Sequence, residues 1–82
     1  MTTNSIILDE NWQELAADGE DFAFQNIDAS GIALISYSDS APTGKDNAHR
    51  IYKRDKGWLS SYASGKLWGR ALVGTCKSVI TK

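Results

Sequence analysis

The stretch DFAFQNIDASGIALISYS, residues 21–38, decides the fold class. Its two halves, 21–27 and 31–38, each place apolar side chains at every second position, as at Phe22 and Phe24. This period of two is that of a β-strand with one buried face. The residues between the halves, DASG, combine side chains that bond nearby amides with a glycine that accepts positive φ. We therefore predict two strands of a hairpin.

The rest of the chain continues in short segments with turn-like boundaries. A loop with the only proline, 39–47, precedes a charged strand near a sheet edge, 48–53, and a short strand, WLSSY, 58–62. Two further strands, 67–72 and 76–81, are expected to be joined by a tight reversal at VGT. Such regular spacing predicts one all-β domain over residues 1–82, a small antiparallel β-sandwich or barrel of about seven strands.

The N-terminal segment LDENWQELAADG fits two structures. Leu8, Trp12 and Leu15 have helical spacing, with Asp9 as a possible N-cap, so residues 9–17 could form one short helix. The same residues also fit a strand, NWQELA, followed by a turn. The strand is favoured because the later segments all have strand length.

Gly69 is the unexpected residue of the segment LWGRAL. A glycine weakens a strand interior unless a bulge or a close neighbour requires it. Two strands joined by a turn otherwise account for the glycines of this region without a ligand.

The composition restricts the classes of function. Nine basic and ten acidic residues leave a formal charge of −1, which disfavours binding to nucleic acid or to an anionic membrane. One cysteine cannot form an internal disulfide, and one histidine with one cysteine makes a transition-metal site improbable. The start MTTNSIILDENWQ resembles neither a signal peptide nor a membrane span, so we expect a chain made in the cytoplasm.

No motif indicates catalysis or a cofactor. His49 belongs to an ordinary strand pattern, no GxSxG elbow occurs, and the glycines of SGKLWGRALVG do not form a phosphate-binding loop. Asp39, Asp46 and Asn47 could chelate calcium, but their spacing matches no known loop and solvation is the simpler account. We predict no catalytic residues, no metal and no cofactor.

The aromatic residues are the candidates for binding. Most of the tryptophans and tyrosines are expected to fill the core, with their polar tips at the surface. Some are expected to anchor a partner, since interface hot spots are enriched in Trp, Tyr and Arg, or to stack sugars. The predicted contact residues are Trp58, Tyr62, Trp68 and Arg70, with the loop around Pro42 and Lys45.

The segments FAFQN, IALISYSDSAP and, about thirty residues later, GKLWGRA resemble a loose pattern of small accessory proteins of tailed-phage particles. The resemblance covers roughly residues 12–81 and offers no catalytic residues. It implies an all-β virion component without enzymatic activity, present in many copies on the head or around the neck or tail. Its expected partners are the major capsid protein or other virion proteins.

These observations predict a capsid decoration or stabilising subunit. A neck or tail component such as a fibre adaptor, or a free carbohydrate- or protein-binding module, remains as an alternative. A domain of this size buries only about 60–65% of its unfolded surface, so a homo-oligomeric or multi-copy assembly is expected to supplement the core. The terminal segments TNSIIL and CKSVITK could each add a strand to a partner's sheet, or could pair internally.

Overall fold

The computed structural model describes residues 2–55, 58–60 and 65–82, with the backbone alone described for 58–60. These residues form eight strands: β1 (Thr3–Leu8), β2 (Gln13–Ala16), β3 (Phe22–Asn26), β4 (Ala33–Ser38), β5 (His49–Ile51), β6 (Trp58–Ser60), β7 (Lys66–Ala71) and β8 (Cys76–Thr81). The ambiguous N-terminal segment is therefore a strand, β2, and not a helix.

The strands form two four-stranded antiparallel sheets. Sheet one has the order β1-β8-β3-β6, and sheet two has the order β2-β7-β4-β5. Buried side chains from both sheets form one cluster between them, so the predicted all-β antiparallel sandwich is confirmed, with eight strands described where about seven were predicted. The charged strand β5 lies at an edge, as predicted.

The two predicted hairpins are wrong. β3 and β4 belong to different sheets, and so do β7 and β8. The side chains that alternation groups on one face of each segment, such as Phe22 and Phe24, do share a face, and Phe22 and Tyr37 meet across the sandwich with their ring centroids 6.2 Å apart. A period of two indicates which side chains share a face, but it does not indicate which strand lies alongside. Each connection is an arch that crosses from one sheet to the other.

The suggestion that CKSVITK adds a strand to a partner is also corrected. β8 lies between β1 and β3 and pairs with both, so neither of its edges is open. The segment TNSIIL is β1, which pairs with β8 on one side and ends the sheet on the other.

Asn26 holds the arch between β3 and β4. It is fully buried, and its Nδ2 donates to the carbonyl of Gly31 at 2.9 Å and to that of Ile51 at 2.7 Å. Its Oδ1 accepts from the backbone amide of Asp28 at 2.7 Å. One side chain thus joins the end of β3 in sheet one to β5 in sheet two, which directs the chain across the sandwich.

Asp28 fixes the same arch from its outer side. Its Oδ1 accepts from the amides of Ser30 at 3.1 Å and Gly31 at 2.8 Å, and its Oδ2 accepts from the amide of Lys77 at 3.0 Å. These donors, the Lys77 amide first, lower the pKa of Asp28 from its ordinary 3.8 to about 2. The carboxylate therefore ties the arch to the start of β8.

We expect Asp28 to make the stability depend on pH. Because folding lowers its pKa, its contribution is present above the ordinary value of 3.8 and is lost as the pH falls towards about 2. The gap in urea midpoint between the natural chain and Asp28→Asn should therefore be largest above pH 4 and shrink through that range. Asp21→Asn, at an exposed position with no described hydrogen bond, is the control. A gap that is constant with pH would contradict this role.

The core lies between the inner faces of the two sheets. Phe24, Leu8, Ile35 and Leu67 are among its largest side chains, each at most 1% exposed. Cys76 is also buried there as a free thiol, and burial raises its pKa. Leu34 is equally buried but lies outside this cluster, on the opposite face of sheet two, which shows that other side chains cover this position of the outer face.

Gly69 is explained by a close neighbour. The pairing of β2 with β7 shifts register between Glu14 and Ala16, so Leu15 is an extra residue in a bulge. A Cβ at position 69 would lie 2.5 Å from Leu15 Cδ1. A larger residue at position 69 would force the buried Leu15 to move, because the bulged leucine enters the core over the backbone of β7.

Candidate functional site

The outer face of sheet two brings two tryptophans and an arginine together on one surface. Trp68 lies in register with Ser36 on one side and Glu14 on the other. Arg70 lies in register with Leu34, two positions further along. Trp12 precedes β2, and its ring centroid is 5.9 Å from Arg70 Cζ. We call this surface the aromatic face, comprising Trp12, Leu34, Ser36, Trp68 and Arg70.

The loop 39–47 folds over the aromatic face. Trp12 Nε1 donates to the carbonyl of Gly44 at 2.9 Å, and Ser36 Oγ donates to that of Asn47 at 3.0 Å. Trp68 Nε1 donates to the carbonyl of Ser38 at 3.0 Å, at the point where β4 ends and the loop begins. The segment is an exposed loop, as predicted, and these bonds fix its position relative to the sheet.

Arg70 is the buried centre of this face. It is only 8% exposed, and its Nε donates to the carbonyl of Ala71 at 2.9 Å. The guanidinium also lies beside the Trp12 ring, where the negative face of the aromatic system attracts a cation. Arg70 therefore packs against Trp12, and little of its own surface can be reached from solvent.

Exposed charges of both signs surround the face. Lys66 Nζ lies 3.5 Å from Glu14 Oε1, and both side chains are more than 40% exposed, so this pair contributes little to stability. Arg50 and Lys45 are exposed on β5 and the loop. The result is a centre of two indoles and a buried arginine with a polar, charged rim, and aromatic residues and arginine are enriched at the cores of protein interfaces.

The structure brings four of the six predicted contact residues to this region. Trp68 is half-buried on the aromatic face and Arg70 is buried within it, while the loop that folds over it carries the half-buried Pro42 and the exposed Lys45. The side chain of Trp58 and the whole of Tyr62 lie outside the described residues.

Trp12, Leu34 and Ser36 belong to the face but were not among the predicted contact residues, and Trp12 is the largest of the three. Its segment fitted both a helix and a strand, and only the strand places Trp12 and Glu14 together on the side opposite Leu15. The alternation within NWQELA could have indicated that Trp12 and Glu14 share a face. Only the pairing of β2 with β7 places that face beside Trp68.

A second surface lies at the other end of sheet two. A groove of about 520 Å³ is lined by residues 29–32 and 52–54, and the guanidinium of Arg54 lies 4.5 Å from the centroid of the Tyr52 ring. Lys53 and Arg54 are exposed at this groove, and the carboxylates of Asp28 and Asp55 accept from the amides of Gly31 and Tyr52 in its lining. None of the side chains named here is buried, so the groove is less well formed than the aromatic face.

Comparisons with protein-family models, curated proteins and solved structures found no match. Within 2–55, 58–60 and 65–82, no group of three or more His, Cys, Asp or Glu side chains is placed to hold a metal ion. The same residues include no helix long and apolar enough to cross a membrane.

Proposed function

We propose that this chain is a non-enzymatic structural subunit of a tailed-phage particle, most simply a capsid decoration protein, that binds the major capsid protein through the aromatic face. The observation that carries the proposal is the pair of half-buried indoles beside the buried Arg70. Trp and Arg in such settings supply most of the binding energy of protein interfaces. The phage setting comes from the resemblance of FAFQN, IALISYSDSAP and GKLWGRA to accessory proteins of these particles.

The aromatic face suits binding because hydrogen bonds within the domain already hold its side chains and loop in place without a partner. Both indole N–H groups already have backbone acceptors, and the loop is held at Gly44 and Asn47. A surface whose side chains are fixed in advance loses less conformational entropy on association. What remains available to the partner is the exposed part of the indoles, Pro42 and the charged rim.

A repetitive scaffold would strengthen such a contact. A domain of 82 residues offers a small binding surface, and one modest contact alone gives a short-lived complex. When neighbouring copies engage the same lattice, the effective concentration keeps each of them bound. A role on a repetitive capsid lattice is therefore favoured over binding at a single isolated site.

The number of copies in purified particles tests the assignment. Quantitative mass spectrometry should find hundreds of copies per particle for a decoration protein. A few to a few dozen copies would instead support the neck or tail alternative. Absence from purified particles would contradict a virion role and would support a free carbohydrate- or protein-binding module.

Trp68→Ala tests the aromatic face. We expect at least about a tenfold loss of binding to particles that lack the protein, which corresponds to about 1.4 kcal/mol. Lys45→Glu reverses a charge at an exposed loop position and should weaken binding without unfolding the domain. Val73→Ala, at a 72% exposed residue outside the face, is the control. Binding that falls only in proportion to the unfolded fraction would show that Trp68 is structural.

A further inference from the structure

Strand β1 presents an open edge at one side of sheet one. It pairs with β8 over all six residues, Thr3 to Leu8, without a register shift, and has no strand on its other side among the described residues. Ile7, near the end of this strand, is 65% exposed.

The hydrogen-bond register identifies which backbone groups face outward. The amides and carbonyls of Thr2 and Lys82 bond to each other in both directions, at 3.0 and 3.2 Å. Bonded and non-bonded pairs alternate along an antiparallel ladder. Asn4, Ile6 and Leu8 therefore bond to β8, and the N–H and C=O groups of the alternate residues point to the open edge. These residues are Thr3, Ser5 and Ile7.

The β1 edge has none of the features that usually prevent strand association. Protected edges are short, bulged, charged or interrupted by proline. β5 has only three residues and includes Arg50, and β2 has a bulge and includes Glu14. β1 is six residues long, uncharged and unbulged, and contains no proline.

We propose that two copies of this chain associate through antiparallel pairing of their β1 edges about a two-fold axis at Ser5. Among the antiparallel registers that pair outward-facing backbone groups, this register pairs the N–H and C=O groups of all three residues, Thr3, Ser5 and Ile7. Ser5 lies opposite Ser5 of the second copy, and Thr3 lies opposite Ile7. Three pairs with two hydrogen bonds each then give six bonds between the copies. Sheet one continues from one copy into the other, and Ile7 gains a neighbour for its exposed surface.

The charges next to β1 favour this antiparallel arrangement. Asp9 and Glu10 directly follow the strand. A parallel arrangement would place these carboxylates beside those of the second copy, whereas the antiparallel one separates them by more than about 20 Å along the strands. This separation exceeds the screening length of about 8–10 Å at ordinary ionic strength.

The dimer is expected to be weak and dependent on concentration, because one strand edge buries less than the area of a standard protein interface. Sedimentation equilibrium from about 10 µM to about 1 mM should show the mass rising from 9.0 kDa towards twice that value. A chain that stays monomeric over the whole range would overturn the proposal. This test does not depend on the proposed function.

A charge swap at the axis tests the register. In Ser5→Lys or Ser5→Glu, like charges would lie directly opposite each other, so each variant alone should remain monomeric. An equal mixture of the two should associate again, because unlike charges then meet at the axis. Ser5 is exposed and its N–H does not bond to β8, so both variants should keep the fold, which circular dichroism can verify.

Gln25→Lys is the matched control, since Gln25 is exposed in the same row of sheet one, two strands away from β1. It should associate as the natural chain does. Association that survives Ser5→Lys, or a mixture of folded variants that stays monomeric, would overturn pairing at β1.

Discussion

Replacing Phe24 with alanine is expected to lower the free energy of unfolding by about 3–5 kcal/mol. Phe24 is 1% exposed and lies in β3, which has paired strands on both sides. Truncation leaves a cavity between the sheets that the flanking strands hold open. A domain of this size has about 5–15 kcal/mol of stability in total, so the variant should lose a large fraction of it.

Equilibrium unfolding in urea measures this loss. Val73→Ala removes apolar atoms from a residue that is 72% exposed and should change the stability by less than about 0.5 kcal/mol. If Phe24→Ala were as stable as this control, the inward orientation of β3 would be wrong.

Replacing Asn26 with alanine is expected to cost about 2–4 kcal/mol. The change removes the donor for the carbonyls of Gly31 and Ile51 and the acceptor for the amide of Asp28. The bond to Ile51 is buried, so its carbonyl left without a partner costs about 1–3 kcal/mol, and the two partly buried groups, which water can reach, add less. Gln25→Ala, at the exposed neighbouring position, should be nearly neutral when measured in the same way.

The variant Asn26→Asp separates the effect of losing the Nδ2 donor from the effect of losing side-chain volume. The two side chains have nearly the same volume, but aspartate keeps only the acceptor for Asp28 and turns an oxygen towards two carbonyls. We expect this variant to be at least as unstable as the alanine variant at neutral pH, because a buried charge without a partner is costly. If Asn26→Asp were as stable as the natural chain, the bridge between the two sheets would contribute little.

The aromatic face illustrates what composition can and cannot predict. Trp68 and Arg70 were recognisable as binding candidates because Trp and Arg predominate in interface hot spots. The near burial of Arg70 was not recognisable, because it depends on Trp12, which is 58 positions away in the chain and comes close only through the β2–β7 pairing.

Strand positions and inward faces were available from the sequence alone, because alternation is a local property of an extended chain. It grouped Phe22 and Phe24 on one buried face and indicated that Gly69 needed a bulge or a close neighbour. Which strands lie side by side was decided only by the tertiary structure. The bonds that turn the arch across the sandwich join residues far apart in the chain, Asn26 to Ile51 and Asp28 to Lys77. No local period encodes a contact between such distant residues.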